Sequence, residues 1–195
     1  MSNLSVRSFI AIDAGGVLLH LNEGVDQSNR SRTPVKGANE VLAKLKSEGH
    51  KLFLVSFAGR KTAEITFNDM KEHYNGLLDG LFFVKNKEEK IALCRYLGAD
   101  VMIDDTSLVH YHIKNGIYTG KPKAIGGVPS IHRLQFTGAP FGGDKSNLDL
   151  TGSDGATVVE TWDEIYNICS GLTHTHKPDD KITITKYVYP EHSSV

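Results

Sequence analysis

Side chains that suit phosphate chemistry end three short apolar runs of the chain. Asp13 ends the first run, Ser56 ends the second, and the pair Asp104-Asp105 ends the third. An apolar run bounded by turn residues predicts a buried strand, and loops at the carboxyl ends of parallel strands line the ligand crevice. We therefore expect the three carboxyl groups and the hydroxyl group to meet at one edge of a sheet.

A lysine at the start of the helix that precedes this acidic pair completes the set. Lys87 and Lys90 are both placed for this role. Oxygen ligands suit Mg²⁺, and an ammonium group neutralises phosphoryl oxygens. Gly15 and Gly16 also allow a ligand to approach the backbone after Asp13 closely. Together these residues predict a site for a divalent cation and a phosphate group.

Apolar runs and helix-spaced apolar residues alternate along most of the chain. Strands joined by helices of this length predict right-handed crossovers and a mostly parallel sheet covered on both faces. The expected class is α/β, doubly wound and Rossmann-like. The pattern predicts strands at residues 9–12, 51–55, 81–84, 101–103, 133–136 and 157–159, and helices from Thr33-Pro34 to Gly49, over 62–74, over 88–97 and from a capping box at Thr161 and Glu164 through Cys169.

The alternation of strands and helices predicts a single domain over residues 1–172. Two stretches of the chain depart from this alternation. Residues 137–156 carry five glycines and few apolar side chains, so we expect a long surface loop. Residues 173–195 include an alternating segment that predicts an added edge strand, a strand pairing with a second copy of the chain, or a tail. The second of these alternatives would make a homo-oligomer.

Composition excludes several function classes. The chain has 195 residues, 22 basic and 23 acidic side chains, and a formal net charge of −1. This balance gives no electrostatic footprint for nucleic acid. No apolar run reaches the roughly 18 residues of a membrane span, and the polar start lacks the apolar stretch of a signal peptide. With two cysteines inside apolar patterns, we expect a cytoplasmic protein.

The order of these motifs resembles the haloacid dehalogenase-like (HAD) superfamily, whose members are mostly Mg²⁺-dependent phosphohydrolases. Residues 13–17 match its first motif except at one position, Ser56 matches the second, and the acidic pair matches the fourth. Lys90 fits the third motif better than Lys87 by its distance from Gly98. The resemblance implies a core with a minimal cap at residues 18–37.

The resemblance also implies roles for individual residues. Asp13 would attack phosphorus and form an aspartyl-phosphate, while Ser56 and Lys90 would hold the phosphoryl oxygens. A phosphorylated substrate of unknown identity would be the partner. The resemblance places Mg²⁺ on Asp13, on Asp104 and Asp105, and on the backbone carbonyl of Gly15.

Gly15 is the position at which this chain departs from the family. Family phosphatases carry a second aspartate there, which acts as general acid and then as base. Such a group typically contributes ~10²–10⁴-fold, so its loss costs about 3–5 kcal/mol of barrier stabilisation. Two functions therefore stay open: a phosphohydrolase, in which His20 is one substitute acid, and a weakened domain that binds a phospho-ligand or a protein.

Simpler interpretations also exist for the individual residues. Asp13 and Ser56 are residue types that stabilise turns, and Asp104-Asp105 could cap a helix. Arg60, just past Ser56, could touch substrate or belong to a plain basic loop. Only the meeting of these side chains in one pocket separates the two interpretations.

Overall fold

A computed structural model of the chain describes residues 6–21, 32–115, 130–139 and 155–175. Within these ranges the chain forms eight strands and five helices. The strands are β1 (Phe9–Ile12), β2 (Leu19–Leu21), β3 (Arg32–Pro34), β4 (Lys51–Phe57), β5 (Gly80–Val84), β6 (Val101–Asp104), β7 (His132–Phe136) and β8 (Thr157–Val159), and the helices are α1 (Ala38–Ser47), α2 (Arg60–His73), α3 (Lys87–Leu97), α4 (Ser107–Asn115) and α5 (Trp162–Cys169).

Six strands form one sheet in the order β5-β4-β1-β6-β7-β8, and every neighbouring pair is parallel. The chain leaves β1 toward β4 on one side and returns to β6 on the other. The carboxyl ends of β1 and β6 therefore border a topological switch point, where open α/β sheets bind their ligands.

Alternate residues of the buried strands face opposite layers of helices. Ile10 and Ile12 of β1 pack in a core shared with α1, α2 and α5, whereas Ala11 packs in a second core with α3 and α4. A strand buried on both faces needs apolar side chains at successive positions, which is why β1 reads as a continuous apolar run. The doubly wound, parallel α/β class predicted from the sequence is confirmed.

The start of α1 differs from the prediction. Thr33 and Pro34 do not cap and open this helix; they lie in β3, which pairs antiparallel with β2. The Val35 amide then donates to Leu18, and Gly37 takes a left-handed φ of 83° immediately before the helix begins at Ala38. Proline is tolerated in β3 because, in the part of the chain that the structure describes, this short strand pairs with β2 on one side only.

Other boundaries agree closely with the sequence pattern, with one addition. The capping box at Thr161 and Glu164 is present, and Gly98 ends α3 in the left-handed conformation. Helix α4, which follows the acidic pair, was not predicted because its core face is interrupted by polar residues.

Most of the predicted glycine-rich loop at 137–156 and of the segment at 173–195 lies outside the described residues, as does the centre of the predicted cap at 18–37. Within the described ranges, no helix combines the length and apolar character needed to cross a membrane.

Candidate active site

Asp13 is the first residue after β1 and is buried. Its amide donates to the Ile103 carbonyl at 2.9 Å, so the backbone of β6 fixes where the aspartate leaves the sheet. The chain then turns sharply, and the Ala14 carbonyl accepts from the Leu18 and Leu19 amides. This turn directs the Asp13 carboxylate along the carboxyl edge of the sheet.

Lys90 is a buried lysine on the inner face of α3. Its Nζ lies 3.1 Å from Oδ1 of Asp13 and 2.7 Å from Oδ2 of Asp104. Only about 2% of Lys90 is exposed, so both ion pairs are shielded from water. Coulombic interactions strengthen in such surroundings, and the ammonium ties together carboxylates from two neighbouring strands.

Asp104 and Asp105 both turn toward Asp13, and ligand oxygens of the three acids lie within 4.8 Å of one another. Asp104 is fully buried and also accepts a 2.9 Å hydrogen bond from the Thr106 amide. The Thr106 hydroxyl donates to Asp105 at 3.1 Å. Strand β6 ends at Asp104, which frees Asp105 from the alternation of a regular strand.

Ser56 lies near the carboxyl end of β4 and is buried. Its hydroxyl faces Asp13 and acts to lower the pKa of that carboxyl, against the raising effect of burial. Because β4 is the direct neighbour of β1 in the sheet, residues that end these two strands come together despite their separation in sequence.

Gly16 leaves the space that the Asp105 carboxylate occupies in the acidic cluster. It takes a left-handed φ of 73°, which L side chains rarely adopt. A Cβ atom at this position would lie 2.5 Å from Oδ2 of Asp105, well inside contact distance. Gly15 has no left-handed φ, so its φ does not require a glycine. The two glycines therefore serve different purposes in the turn.

Charge and burial act against each other in this cluster. Burial raises the pKa of Asp13 above its ordinary value, although Lys90 opposes the shift. Burial alone would also raise the pKa of Asp104, but the adjacent Lys90 ammonium holds it below its ordinary value. Burial, then Asp104 and Asp13, raise the pKa of Asp105 to about 8. Asp105 is therefore the acid that lacks a matching cation.

The pKa of Lys90 is set more by its carboxylate neighbours than by its burial. Burial alone would lower its pKa, but the two carboxylates it contacts raise the pKa above the ordinary lysine value. The ammonium is therefore charged at every physiological pH. Among the described residues, three acids and one lysine leave an excess of negative charge that a bound cation would neutralise.

Solved phosphatase structures share this architecture. The chain matches D,D-heptose 1,7-bisphosphate phosphatase from B. bronchiseptica, complexed with magnesium and phosphate, with TM-score 0.59 and 12% identity over 83% of this chain and 97% of that one. It matches a phospho-aspartyl intermediate analogue of phosphoserine phosphatase with TM-score 0.52 and 15% identity over 84% and 99% of the two chains. The chain therefore shares the α/β fold of these two phosphatase structures.

Similarity in sequence is much weaker than similarity in fold. A protein assigned as a phosphoglycolate phosphatase from Lactobacillus delbrueckii subsp. bulgaricus matches 71% of this chain at 16% identity and TM-score 0.49, and this chain spans 54% of that protein. No family model and no curated protein match the sequence. The side chains of this domain therefore decide what chemistry it can perform.

The candidate site brings together the side chains that the sequence singled out. Asp13, Asp104 and Asp105 form the acidic cluster, Lys90 pairs with two of its members, and Ser56 reaches Asp13. Lys87, the alternative lysine, opens the same helix one turn earlier and is partly exposed. His20 lies in β2, with its backbone paired to Thr33.

Four residues that support the site were not identified from the sequence. Trp162 Nε1 donates to the Val17 carbonyl at 3.2 Å, and the Tyr74 hydroxyl donates to the Leu18 carbonyl at 2.5 Å. His110 Nε2 lies 3.0 Å from the Asp104 carbonyl, and Gln135 Nε2 donates to the Asp105 carbonyl at 3.3 Å. Each reaches a backbone carbonyl, and such contacts leave no local motif in a sequence.

The cluster has the donor chemistry that Mg²⁺ requires. Its ligand atoms are carboxylate oxygens, which hard divalent cations prefer over nitrogen or sulfur. Among the described residues, three carboxyl groups face the one ammonium of Lys90, so a proton or a cation would balance the remaining charge. The residues present therefore fit a magnesium ion at Asp13, Asp104 and Asp105.

Proposed function

We propose that this chain is a Mg²⁺-dependent phosphohydrolase of the HAD type that acts through an aspartyl-phosphate on Asp13. One observation carries the proposal. Lys90 lies within ion-pair distance of both Asp13 and Asp104, inside a buried cluster that also contains Asp105. A buried cluster with excess negative charge is costly for a fold to maintain, and binding a cation and an anionic substrate gives it a purpose.

Asp13 serves as the nucleophile in this proposal. An Oδ atom of Asp13 forms a bond to phosphorus as the bond from phosphorus to the leaving-group oxygen breaks. In a second step, water attacks the phosphorus and the Asp13–phosphate bond breaks, which releases phosphate and restores the carboxylate. Lys90 and the Ser56 hydroxyl hold the phosphoryl oxygens during both steps, so charge neutralisation and positioning provide the catalysis.

Asp13, Asp104, Asp105 and the Gly15 carbonyl are the groups that would hold Mg²⁺. When bound, the ion supplies positive charge that screens the carboxylates from the incoming phosphate and neutralises phosphoryl oxygens. The Asp104 carboxylate, already paired with Lys90, links the cation position to the phosphate position.

Gly15 favours a second candidate function. It offers no side chain to protonate a leaving group or to activate water, which are the tasks that the resemblance assigns to an aspartate there. The alternative is a domain that retains Mg²⁺ and phosphate-ligand binding but turns over slowly or not at all. Pairing with a second copy through the C-terminal segment belongs to the phosphohydrolase proposal, in which the partner subunit would close the open site.

Phosphate release from p-nitrophenyl phosphate tests the proposal. Wild-type protein should release phosphate only with Mg²⁺, and Asp13→Asn should abolish release. Asp163→Asn is the matched control. It is the same substitution, made at an exposed residue in the first turn of α5. Release that persists in Asp13→Asn would refute the proposed nucleophile. Absent turnover together with Mg²⁺-dependent binding of inorganic phosphate would favour the alternative.

A further inference from the structure

The acidic pair requires a backbone arrangement that a strand does not provide. Side chains of successive residues in a strand point to opposite faces of the sheet. Asp104 and Asp105 are adjacent in sequence, yet oxygens of both lie within 4.8 Å of each other and of Asp13. The peptide groups at the end of β6 must therefore be held in a turned conformation.

Two buried side chains reach the carbonyl groups of these two residues. His110 Nε2 lies 3.0 Å from the Asp104 carbonyl oxygen, and Gln135 Nε2 donates to the Asp105 carbonyl oxygen at 3.3 Å. His110 comes from α4 and Gln135 from β7, and each is 1% exposed. Successive carbonyls are thus fixed from two different elements.

The tautomer of His110 follows from this contact. A carbonyl oxygen only accepts, so Nε2 carries the proton and donates it. The opposite ring nitrogen, Nδ1, is buried without a hydrogen-bond partner among the described residues. A buried imidazole that uses only one nitrogen indicates that its position is set by the contact with Asp104.

A hydrogen bond also links strand β7 to helix α4. Arg133 on β7 donates to the backbone carbonyl of His110 at 3.3 Å. Gln135, two residues further along β7, is the register partner of Asp104 across the β6–β7 ladder. The two donors therefore lie on elements that are hydrogen-bonded to each other next to the end of β6.

We infer that His110 and Gln135 are positioning residues for the metal centre, which hold the Asp104 and Asp105 carbonyl groups so that both carboxylates face Asp13. The inference rests on the metal part of the proposed function. It does not require turnover, because a domain that only binds Mg²⁺ needs the same geometry. Partners that orient metal-binding carboxylates typically change metal affinity 10–100-fold when removed.

Mg²⁺ affinity measured by calorimetry, with Mn²⁺ affinity by electron paramagnetic resonance as a second readout, tests the inference. Gln135→Leu removes the donor and keeps much of the volume, and we expect its Mg²⁺ dissociation constant to rise by about 10-fold or more. Thr137→Val is the control, because Thr137 directly follows β7 and donates its hydroxyl to the Val159 carbonyl, not to the acidic cluster. That variant should bind Mg²⁺ like wild type.

His110 provides an independent pair of variants. His110→Leu should weaken Mg²⁺ binding as Gln135→Leu does, whereas His110→Gln keeps an N–H donor at a similar reach and should restore much of the affinity. His112→Leu on the same helix is the control for loss of an imidazole, since the His112 ring packs against the Tyr111 ring rather than against the acidic pair. Urea denaturation of every variant separates lost stability from lost affinity.

The outcomes separate this inference from the proposed function. If Gln135→Leu and His110→Leu lose stability but bind Mg²⁺ within about twofold of wild type, the inference is overturned and the phosphohydrolase proposal is untouched. If wild type binds Mg²⁺ without releasing phosphate, the hydrolase proposal fails and weakened binding by the variants still supports the inference. Wild type that binds neither Mg²⁺ nor Mn²⁺ overturns both.

Discussion

The Lys90 ammonium and the Asp13 carboxylate lie 3.1 Å apart, and both groups are almost completely shielded from solvent. The same ammonium is 2.7 Å from Asp104. Lys90 therefore joins the end of β1 to the end of β6 through α3. This arrangement explains why an acidic cluster can exist in the interior before any ligand binds.

Removing the Lys90 charge should destabilise the fold. Lys90→Met leaves buried carboxylates without their cation, and breaking a buried ion pair on one side typically costs 3–5 kcal/mol, so we expect a loss of about that size. Urea denaturation at pH 7 without Mg²⁺ measures it. Added Mg²⁺ should restore part of the lost stability, because the cation replaces some of the missing charge.

Lys87→Met is the matched control for that variant. Lys87 is on the same helix but is partly exposed, so its unfolding free energy should change by no more than about 0.5 kcal/mol. Equal losses in the two variants would contradict the special role of Lys90. They would also reopen the choice between the two lysines.

A methyl group at residue 16 should disturb the metal centre. Gly16→Ala introduces a Cβ atom that meets Asp105 Oδ2 at 2.5 Å, and the carboxylate must move away from the cluster. Gly76→Ala is a close control, because Gly76 has the same φ of 73° and nothing within 4 Å of the added Cβ. Both variants should lose about 1–2 kcal/mol of stability from the strained backbone.

Only Gly16→Ala should also lose affinity for Mg²⁺, which calorimetry measures directly. A Gly16→Ala protein that binds Mg²⁺ as tightly as Gly76→Ala would show that Asp105 is not a metal ligand.

The sequence predicted the elements of the sheet and the side chains of the site because both leave local signals. Strand β1 is a continuous apolar run, and Asp13 and Ser56 are polar residues at strand ends. The choice of Lys90 over Lys87 could not be settled from the chain alone, because it depends on which face of α3 turns inward. The structure brings Lys90 to Asp13.

Other features depend on contacts between distant segments. Thr33 and Pro34 look like a helix start, but pairing with β2 makes them a strand, which local propensity cannot reveal. His110 and Gln135 act through backbone carbonyls on another element. Such residues are recognisable only after the strand order and the position of α4 are known.

His50 should make stability depend on pH. Burial, aided by Arg7, lowers the pKa of His50 below its ordinary value, so the unfolded chain binds a proton that the folded chain does not. The contribution of His50 to the free energy of unfolding should therefore decrease as the pH falls below about 6.5. Urea denaturation of wild type and His50→Gln between pH 7.5 and pH 5.5 measures this contribution as the difference between the two slopes, on the order of one proton at most.

Two variants identify the source of that slope. His50→Gln should make the slope shallower, because the titrating group is gone. Ser8→Ala removes only the hydroxyl that lies 2.7 Å from His50 Nδ1, so stability should fall while the slope remains. An unchanged slope in His50→Gln would assign the pH dependence to other groups.

An acid introduced at residue 15 should raise turnover. The backbone of Gly15 has no left-handed φ, so Gly15→Asp is free of that strain. Positioned acid–base groups contribute ~10²–10⁴-fold, and we expect a gain of about 10-fold or more. The gain should be larger for an alkyl phosphate than for p-nitrophenyl phosphate, because nitrophenolate leaves without needing a proton. Steady-state kinetics with both substrates measures it, and no gain with either would show that another group already fills the role.

The most direct test of the account is to look for phosphate on Asp13 itself. Without a base at residue 15, hydrolysis of the aspartyl-phosphate should be slow, so the intermediate should accumulate with p-nitrophenyl phosphate and Mg²⁺. Acid quenching followed by peptide mass spectrometry should find phosphate on the peptide that contains Asp13, and less of it in Gly15→Asp. Turnover without phosphate on Asp13, or with phosphate on another residue, would contradict the account.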